Sequence, residues 1–131
     1  MNKIVLDTCC FFCYLYDEVG SQIVQDLFLK AQNNQIKLYV SRVNYCEIQY
    51  QIKRESNYQQ ILSLLELLPV EIIDTNEQIC DYASNIKSKG KISLGDSFAI
   101  GTALFVGGEV ATSDRHEFEA FEKDISILWI R

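Results

Sequence analysis

One proline, one histidine and only 12 basic residues stand in a chain of 131. No apolar run approaches the ~18 residues that a membrane span requires, and no basic stretch precedes the first apolar segment. The sequence therefore predicts neither a membrane span nor a secretory leader. The lone His116 excludes catalysis by a histidine acid–base pair and leaves a zinc site short of ligands. The five cysteines are an odd number with no framework spacing: Cys9, Cys10 and Cys13 sit together, Cys46 and Cys80 alone. A reducing cytoplasm with no disulfides is the expectation. Cys10-x-x-Cys13 has no second pair, so the cysteines are expected to act as small buried hydrophobes. A phosphate-cradling glycine loop is also missing, because Gly107-Gly108 precedes a strand and not a helix. Positive charge is scarce. Against 18 acidic residues the net charge is −6, with a pI near 4.7, which argues against gripping nucleic acid by bulk electrostatics.

What is present is a globular composition: 48% hydrophobic and 23% charged residues. There are no repeats, low-complexity segments or linker-like stretches, so residues 1–131 are read as a single domain. Residues 2–6 (NKIVL) form a β-branched run that predicts a buried strand. Helices follow over 9–16 and 21–33, the second with Ile23, Val24, Leu27, Phe28 and Ala31 on one face. A strand over 36–40 leads to Ser41, which can cap a long helix to about residue 56; another helix spans 58–68 and stops at Pro69. A third strand covers 70–73, and Thr75 is placed as the cap of a helix running to the break at 87–90. Ser93 opens a helix over 94–106 that ends at Gly107-Gly108. A fourth strand over 109–112, a short helix over 115–121 and a fifth strand over 125–130 complete the chain. This alternation predicts an α/β fold, a three-layer α/β/α sandwich around a parallel sheet of four to five strands.

Four acidic residues fall where element-building does not demand them. Asp7 follows the first strand and Asp114 the fourth, and in open α/β sheets the functional crevice lies beyond the carboxyl ends of the strands. If those two strands are neighbours, both carboxylates enter one crevice. Asp96 is the only charge in an otherwise apolar helix and is expected to be the most buried of the four. Glu47 sits mid-helix beside Val43, Cys46 and Tyr50, and is expected to point toward protein. Each position also has a simpler reading. Asp7 and Asp114 can cap helices, the latter with Glu117 three residues on; Asp96 can fill a capping box behind Ser93; Glu47 can be a solvated charge. The joint placement of the set carries the functional reading.

The segments Ile4-Val5-Leu6-Asp7-Thr8, Ser41 to Glu47, Leu94-Gly95-Asp96-Ser97-Phe98-Ala99-Ile100-Gly101-Thr102-Ala103 and Ala111-Thr112-Ser113-Asp114, in that order, resemble a PIN domain, and by size the VapC-type toxin ribonucleases. The resemblance covers essentially the whole chain. It implies that Asp7, Glu47, Asp96 and Asp114 are the catalytic acidic quartet that holds Mg²⁺ or Mn²⁺, with the hydroxyls of Thr8 and Thr112 in support. It further implies an endoribonuclease, the toxin half of a toxin–antitoxin pair, with an RNA substrate, an antitoxin partner and a homodimeric state. Many relatives carry Ser or Asn at position 9, where this chain has Cys9, which is expected to weaken a polar contact to the site.

An all-oxygen ligand set selects hard cations over zinc, and such a cation can activate water and neutralise a phosphodiester. A haloacid-type phosphotransferase would want an Asp at position 9, and a receiver domain a Lys near the end of the last strand; neither is present. For substrate grip, Arg115 beside Asp114 and Lys91 ahead of Asp96 are the candidates, with a solvated basic loop as the simpler reading of Lys87 to Lys91. The aromatic residues Phe11, Phe12, Tyr14 and Tyr16, with Tyr45 and Tyr50, offer a face for self-association or for an antitoxin helix, or else core packing. The alternative to an enzyme is a PIN fold retained as a protein- or RNA-binding module without catalysis. Such a copy would be expected to have lost acids from the quartet, and this chain has lost none.

Overall fold

The computed structural model describes residues 1–131. Strands β1 (Asn2–Leu6), β2 (Ile36–Ser41), β3 (Glu71–Ile73), β4 (Glu109–Thr112) and β5 (Ile127–Trp129) make one sheet in the order β3-β2-β1-β4-β5. Every pairing is parallel. Parallel neighbours cannot be joined by a hairpin, so helices carry the chain across. These are α1 (Thr8–Leu15), α2 (Ser21–Gln32), α3 (Arg42–Ile52), α4 (Tyr58–Glu66), α5 (Glu77–Ser88), α6 (Leu94–Val106) and α7 (Arg115–Phe118).

The two faces of the sheet follow from the period-2 geometry of a strand. Ile4 and Leu6 of β1, Leu38 and Val40 of β2 and Ala111 of β4 point to one side. There they meet Phe11 of α1, Val24, Leu27 and Phe28 of α2, Ile48 and Ile52 of α3 and Leu65 of α4. Val5, Tyr39 and Val110 point to the other side, onto Ile86 of α5, Ala99, Ile100 and Ala103 of α6, and Phe118. The result is the three-layer α/β/α sandwich expected, with five strands. Both faces are covered, so the strands read as continuous apolar runs. β1 lies at the centre, and the chain leaves it toward β2 and β3 on one side and occupies β4 and β5 on the other. The switch point therefore falls between β1 and β4, the neighbours the carboxylate argument required.

Some boundaries differ from the sequence reading. The third helix ends at Ile52, and residues 53–57 form exposed turns, because beyond Ile52 no apolar residue continues the buried face. Helix α4 stops at Glu66, two residues before the expected end. The cap of α5 is Asn76 and not Thr75: the Asn76 side-chain Oδ1 accepts the Ile79 N–H at 2.8 Å. Residues 115–121 divide into α7 and a 3₁₀ turn at Glu119–Phe121. The last strand is shorter than expected, three residues at the sheet's edge.

The cysteines split. Cys10 and Cys13 are buried as expected, Cys9 is half-buried, and Cys46 and Cys80 are exposed, each on a helix face turned away from the sheet. Of the aromatic cluster, Phe11 is fully in the core and Tyr14 packs edge-on against Phe28 at 4.8 Å, while Tyr16 and Tyr50 remain exposed.

Candidate functional site

Asp7 immediately follows β1 and is only 2% exposed. Its Oδ1 accepts the Thr8 N–H at 2.9 Å and so caps α1. Its Oδ2 accepts the Thr112 hydroxyl at 2.9 Å and lies 3.4 Å from the Cys9 thiol, which donates to it. Thr112 ends β4, and its hydroxyl oxygen in turn accepts the Asp114 N–H at 3.0 Å. One threonine thus links the acids at the ends of the two adjacent central strands. Cys9 keeps polar contacts here. Its sulfur accepts the Ser113 N–H at 3.3 Å and stands 3.5 Å from the Thr112 hydroxyl, tying the start of α1 to the end of β4.

Helix α6 begins at the same rim. Ser93 caps it by accepting the Asp96 N–H at 3.1 Å, so Asp96 lies in the first turn and its carboxylate faces the crevice. It lies close enough to Asp7 for each carboxyl group to shift the other's pKa. Asp96, Asp114 and Glu117 bring carboxylate oxygens within 4.8 Å of one another. Asp114 Oδ1 accepts the Glu117 N–H at 3.1 Å, and Glu117 Oε2 accepts the Ser93 N–H at 2.8 Å, closing α7 against the start of α6.

Glu47 approaches from α3. Its Oε1 accepts the Thr8 hydroxyl at 3.1 Å and the Asn44 amide at 2.9 Å. It lies against Gly95, where a Cβ would stand 2.6 Å from either carboxylate oxygen. Glu47 is half-buried against protein, as its helical face predicted.

Not every expectation holds. Asp7, not Asp96, is the most buried of the four acids; Asp96 sits at the mouth of α6, beside a Leu94 that is 57% exposed. Glu117 was read only as a capping partner, yet it is one of the three carboxylates nearest each other. The signal was in the sequence, because Asp114 and Glu117 are three residues apart at a helix start and share a face. Arg115 is engaged elsewhere: its guanidinium lies 4.4 Å above the Trp129 ring and donates to the Arg131 carbonyl at 3.2 Å. Lys91 is exposed in the loop before α6 and makes no ion pair. His116 is exposed on α7, with no part in the cluster.

The electrostatics are those of uncompensated negative charge. Neither of the two ion pairs, Arg42–Asp74 and Lys89–Asp124, includes a carboxylate of the crevice. Burial, and then the neighbouring Cys9 and Asp96, raise the Asp7 pKa well above the ordinary carboxyl value, against an opposing hydrogen bond from Thr112. Burial raises Asp96 to about 6, reinforced by Glu117 and Asp114 and opposed by hydrogen bonds from Asp7 and Ser93. Asp7 and Asp96 are thus both pushed toward the protonated form, as crowded carboxyl groups are when no cation offsets them. Four carboxyl groups, oxygen donors only, converge without a lysine or arginine among them. That donor set fits a hard divalent cation such as Mg²⁺ or Mn²⁺.

A family model described as PIN domain matches residues 4–124. The chain belongs to the PIN domain family. No curated protein sequence matches it. Among solved structures, this PIN domain is similar to a chain of the DNA-bound VapBC complex from Salmonella typhimurium, with TM-score 0.80 and 21% identity over 100% of both chains. It is also similar to a chain of VapBC2 from Rickettsia felis bound to a promoter DNA fragment, with TM-score 0.77 and 18% identity over 97% of this chain and 98% of that one. A chain of VapBC-1 from nontypeable Haemophilus influenzae gives TM-score 0.74 and 22% identity over 98% of each. At these identities the likeness is one of fold.

Proposed function

We infer that the crevice at the carboxyl ends of β1 and β4 is the active site of a metal-dependent endoribonuclease. The observation that carries this reading is the convergence of Asp7, Asp96, Asp114 and Glu117 with no positive side chain among them. A merely structural crevice would gain nothing from so many crowded like charges, one of them buried, since each pair costs free energy until something positive enters. Asp7, Glu47, Asp96 and Asp114 would hold the ion, and Glu117 joins them as a fifth acid. Thr8 and Thr112 act by orienting Glu47 and Asp7 through the hydroxyl bonds described above. Mg²⁺ or Mn²⁺ supplies an activated water and offsets the charge of the phosphodiester. A metal ligand must be deprotonated, and burial raises Asp96 to about 6, so cleavage is expected to rise with pH through about 6.

RNA cleavage by a 2′-hydroxyl nucleophile would need two acid–base groups, and His116, the only histidine, is exposed and apart from the cluster. The relatives in fold are chains of VapBC toxin–antitoxin complexes, which supports reading this protein as the toxin member of such a pair. An antitoxin partner, a homodimer and a cytoplasmic setting belong to that reading. Exposed Tyr16, Tyr50, Leu64 and Leu67 supply apolar surface for association, which sedimentation at micromolar concentration tests.

The deciding experiment is cleavage of single-stranded and looped RNA with Mg²⁺ or Mn²⁺, with and without EDTA. The expected products carry a 5′-phosphate, and one deoxy substitution just 5′ of the scissile phosphate is tolerated. Cyclic phosphate products, or cleavage abolished by that deoxy substitution, would sink the mechanism.

A further inference from the structure

Asn44 is a polar side chain with 0% exposure in α3, and Ser41 beside it is 1% exposed. The Ser41 hydroxyl oxygen accepts the Asn44 backbone N–H at 3.0 Å, which is the helix cap. That cap needs only the backbone of residue 44, so an alanine there would be capped equally well. The Asn44 side chain does something else. Its Oδ1 accepts the Ser41 hydroxyl at 2.5 Å, which turns the NH₂ group away from Ser41 and toward the crevice. One N–H then goes to Glu47 Oε1 at 2.9 Å and the other to the Gly95 carbonyl at 3.0 Å. Every donor and acceptor of the side chain is used, so the amide's orientation is fixed by its neighbours.

Burying an amide among apolar residues costs free energy unless its bonds are made, and here the bonds lead to two places. One is the Glu47 carboxylate. The other is the peptide of Gly95, which immediately precedes Asp96 in the first turn of α6. Nothing else joins these two elements by a side-chain hydrogen bond. The amide is therefore the strut that sets the distance between the acid on α3 and the helix start that carries Asp96.

We propose that Asn44 is a positioning residue of the metal centre: its buried amide holds Glu47 and the first turn of α6 in register, so that Glu47 meets the ion arriving among the other acids. The proposal rests on the metal-centre reading of the crevice. It assigns Asn44 an effect on ion affinity that runs through Glu47 and not through the fold at large.

Mn²⁺ binding, followed by the loss of free-ion EPR signal without any RNA, tests it. Asn44→Ala, and Asn44→Leu as a variant that keeps the buried volume, should each bind Mn²⁺ about 10-fold or more weakly than wild type, the range seen when outer partners of metal ligands are removed. Ile52→Val, which trims a fully buried side chain about two turns along the same helix, should bind as wild type does. In a Glu47→Gln background, Asn44→Ala should change Mn²⁺ affinity by less than about 2-fold, because its route of action is already gone. Unchanged affinity in both Asn44 variants overturns the proposal, as does a loss that simply multiplies with that of Glu47→Gln, or an equal loss in Ile52→Val. If wild type takes up no Mn²⁺, the metal-centre reading itself fails and the proposal falls with it; wild-type binding with indifferent Asn44 variants removes the proposal alone.

Discussion

Gly95 lies flat against Glu47, so close that a Cβ on Gly95 would stand 2.6 Å from both carboxylate oxygens. What would have to move is the tip of a flexible side chain. Gly95→Ala also removes a glycine from the first turns of a helix, a change worth up to about 1 kcal/mol in favour of the helix. Fold and site are thus expected to respond in opposite directions. The variant should melt within a few degrees of wild type, or slightly higher, while Mn²⁺ affinity drops by about an order of magnitude as Glu47 is pushed out of the crevice. Parallel thermal melts and Mn²⁺ titrations check it. A large fall in melting temperature with intact ion binding would mean that Glu47 holds its place and that the backbone of α6 yields instead.

Asp96→Asn keeps the shape of the side chain and removes the charge that burial and its acidic neighbours oppose. Because the Asp96 pKa is raised from 3.8 to about 6, the folded protein holds the charged form at a net cost, at most about 3 kcal/mol for a shift of about two units. Relaxation reduces that. Without metal the variant should melt about 3–6 °C above wild type near pH 7, and it should gain less from added Mg²⁺. If Asp96 served only the dipole at the start of α6, the variant would melt lower instead. Melts in EDTA and in Mg²⁺ distinguish the two.

The same difference has a pH signature. Below about pH 4 Asp96 is protonated in both folded and unfolded chains, and its stabilising proton is fully in place. As pH rises through about 6 that contribution is lost, since the unfolded chain releases its proton earlier and more readily. The melting-temperature gap between Asp96→Asn and wild type should therefore be near zero at about pH 4 and should widen until above about pH 6. Metal-free melts at several pH values measure the gap. A gap that stays constant across this range contradicts the raised pKa.

Glu117→Gln retains a carbonyl oxygen that can accept the Ser93 N–H, so α7 should stay closed on α6. Its lost charge should weaken Mn²⁺ binding and lower activity about 10-fold with little change in melting temperature. Glu117→Ala loses the bond as well and should melt lower by about 1 kcal/mol of stability. Equal Mn²⁺ affinity in wild type and Glu117→Gln would place Glu117 in the scaffold alone.

The fold was legible because its signals are local. The apolar run at residues 2–6, the glycines after Val106 and the capping serines Ser41 and Ser93 each act within a few residues of themselves. The strand-end positions of Asp7 and Asp114 were legible for the same reason, since a strand end is a position along the chain; that β1 and β4 are neighbours is what the structure adds. Burial ranks were harder. An apolar helix suggested that Asp96 is deep, but a first-turn residue stands at the rim, and Asp7 between two strand ends is deeper. Asn44 and Gly95 left no mark in the sequence, because their roles depend on α3 meeting the start of α6 across 51 residues of chain. The placement of Arg115 over the Trp129 ring was not legible either, since a long side chain follows its partners in space and not its neighbour in sequence.

The acids of the crevice double as builders of the helices around it. Asp7 caps α1, Asp114 caps α7, and Asp96 takes its place through the Ser93 cap. Alanine at position 7 or 114 therefore removes a charge and frays a helix together, at a cost of about 1 kcal/mol for the missing cap, whereas asparagine caps as well as aspartate does. If the crevice is the active site proposed, a control for a living cell is accordingly better made as Asp7→Asn than as Asp7→Ala: the first is expected to silence the crevice in a chain of normal abundance, and the second also to thin the supply of folded protein.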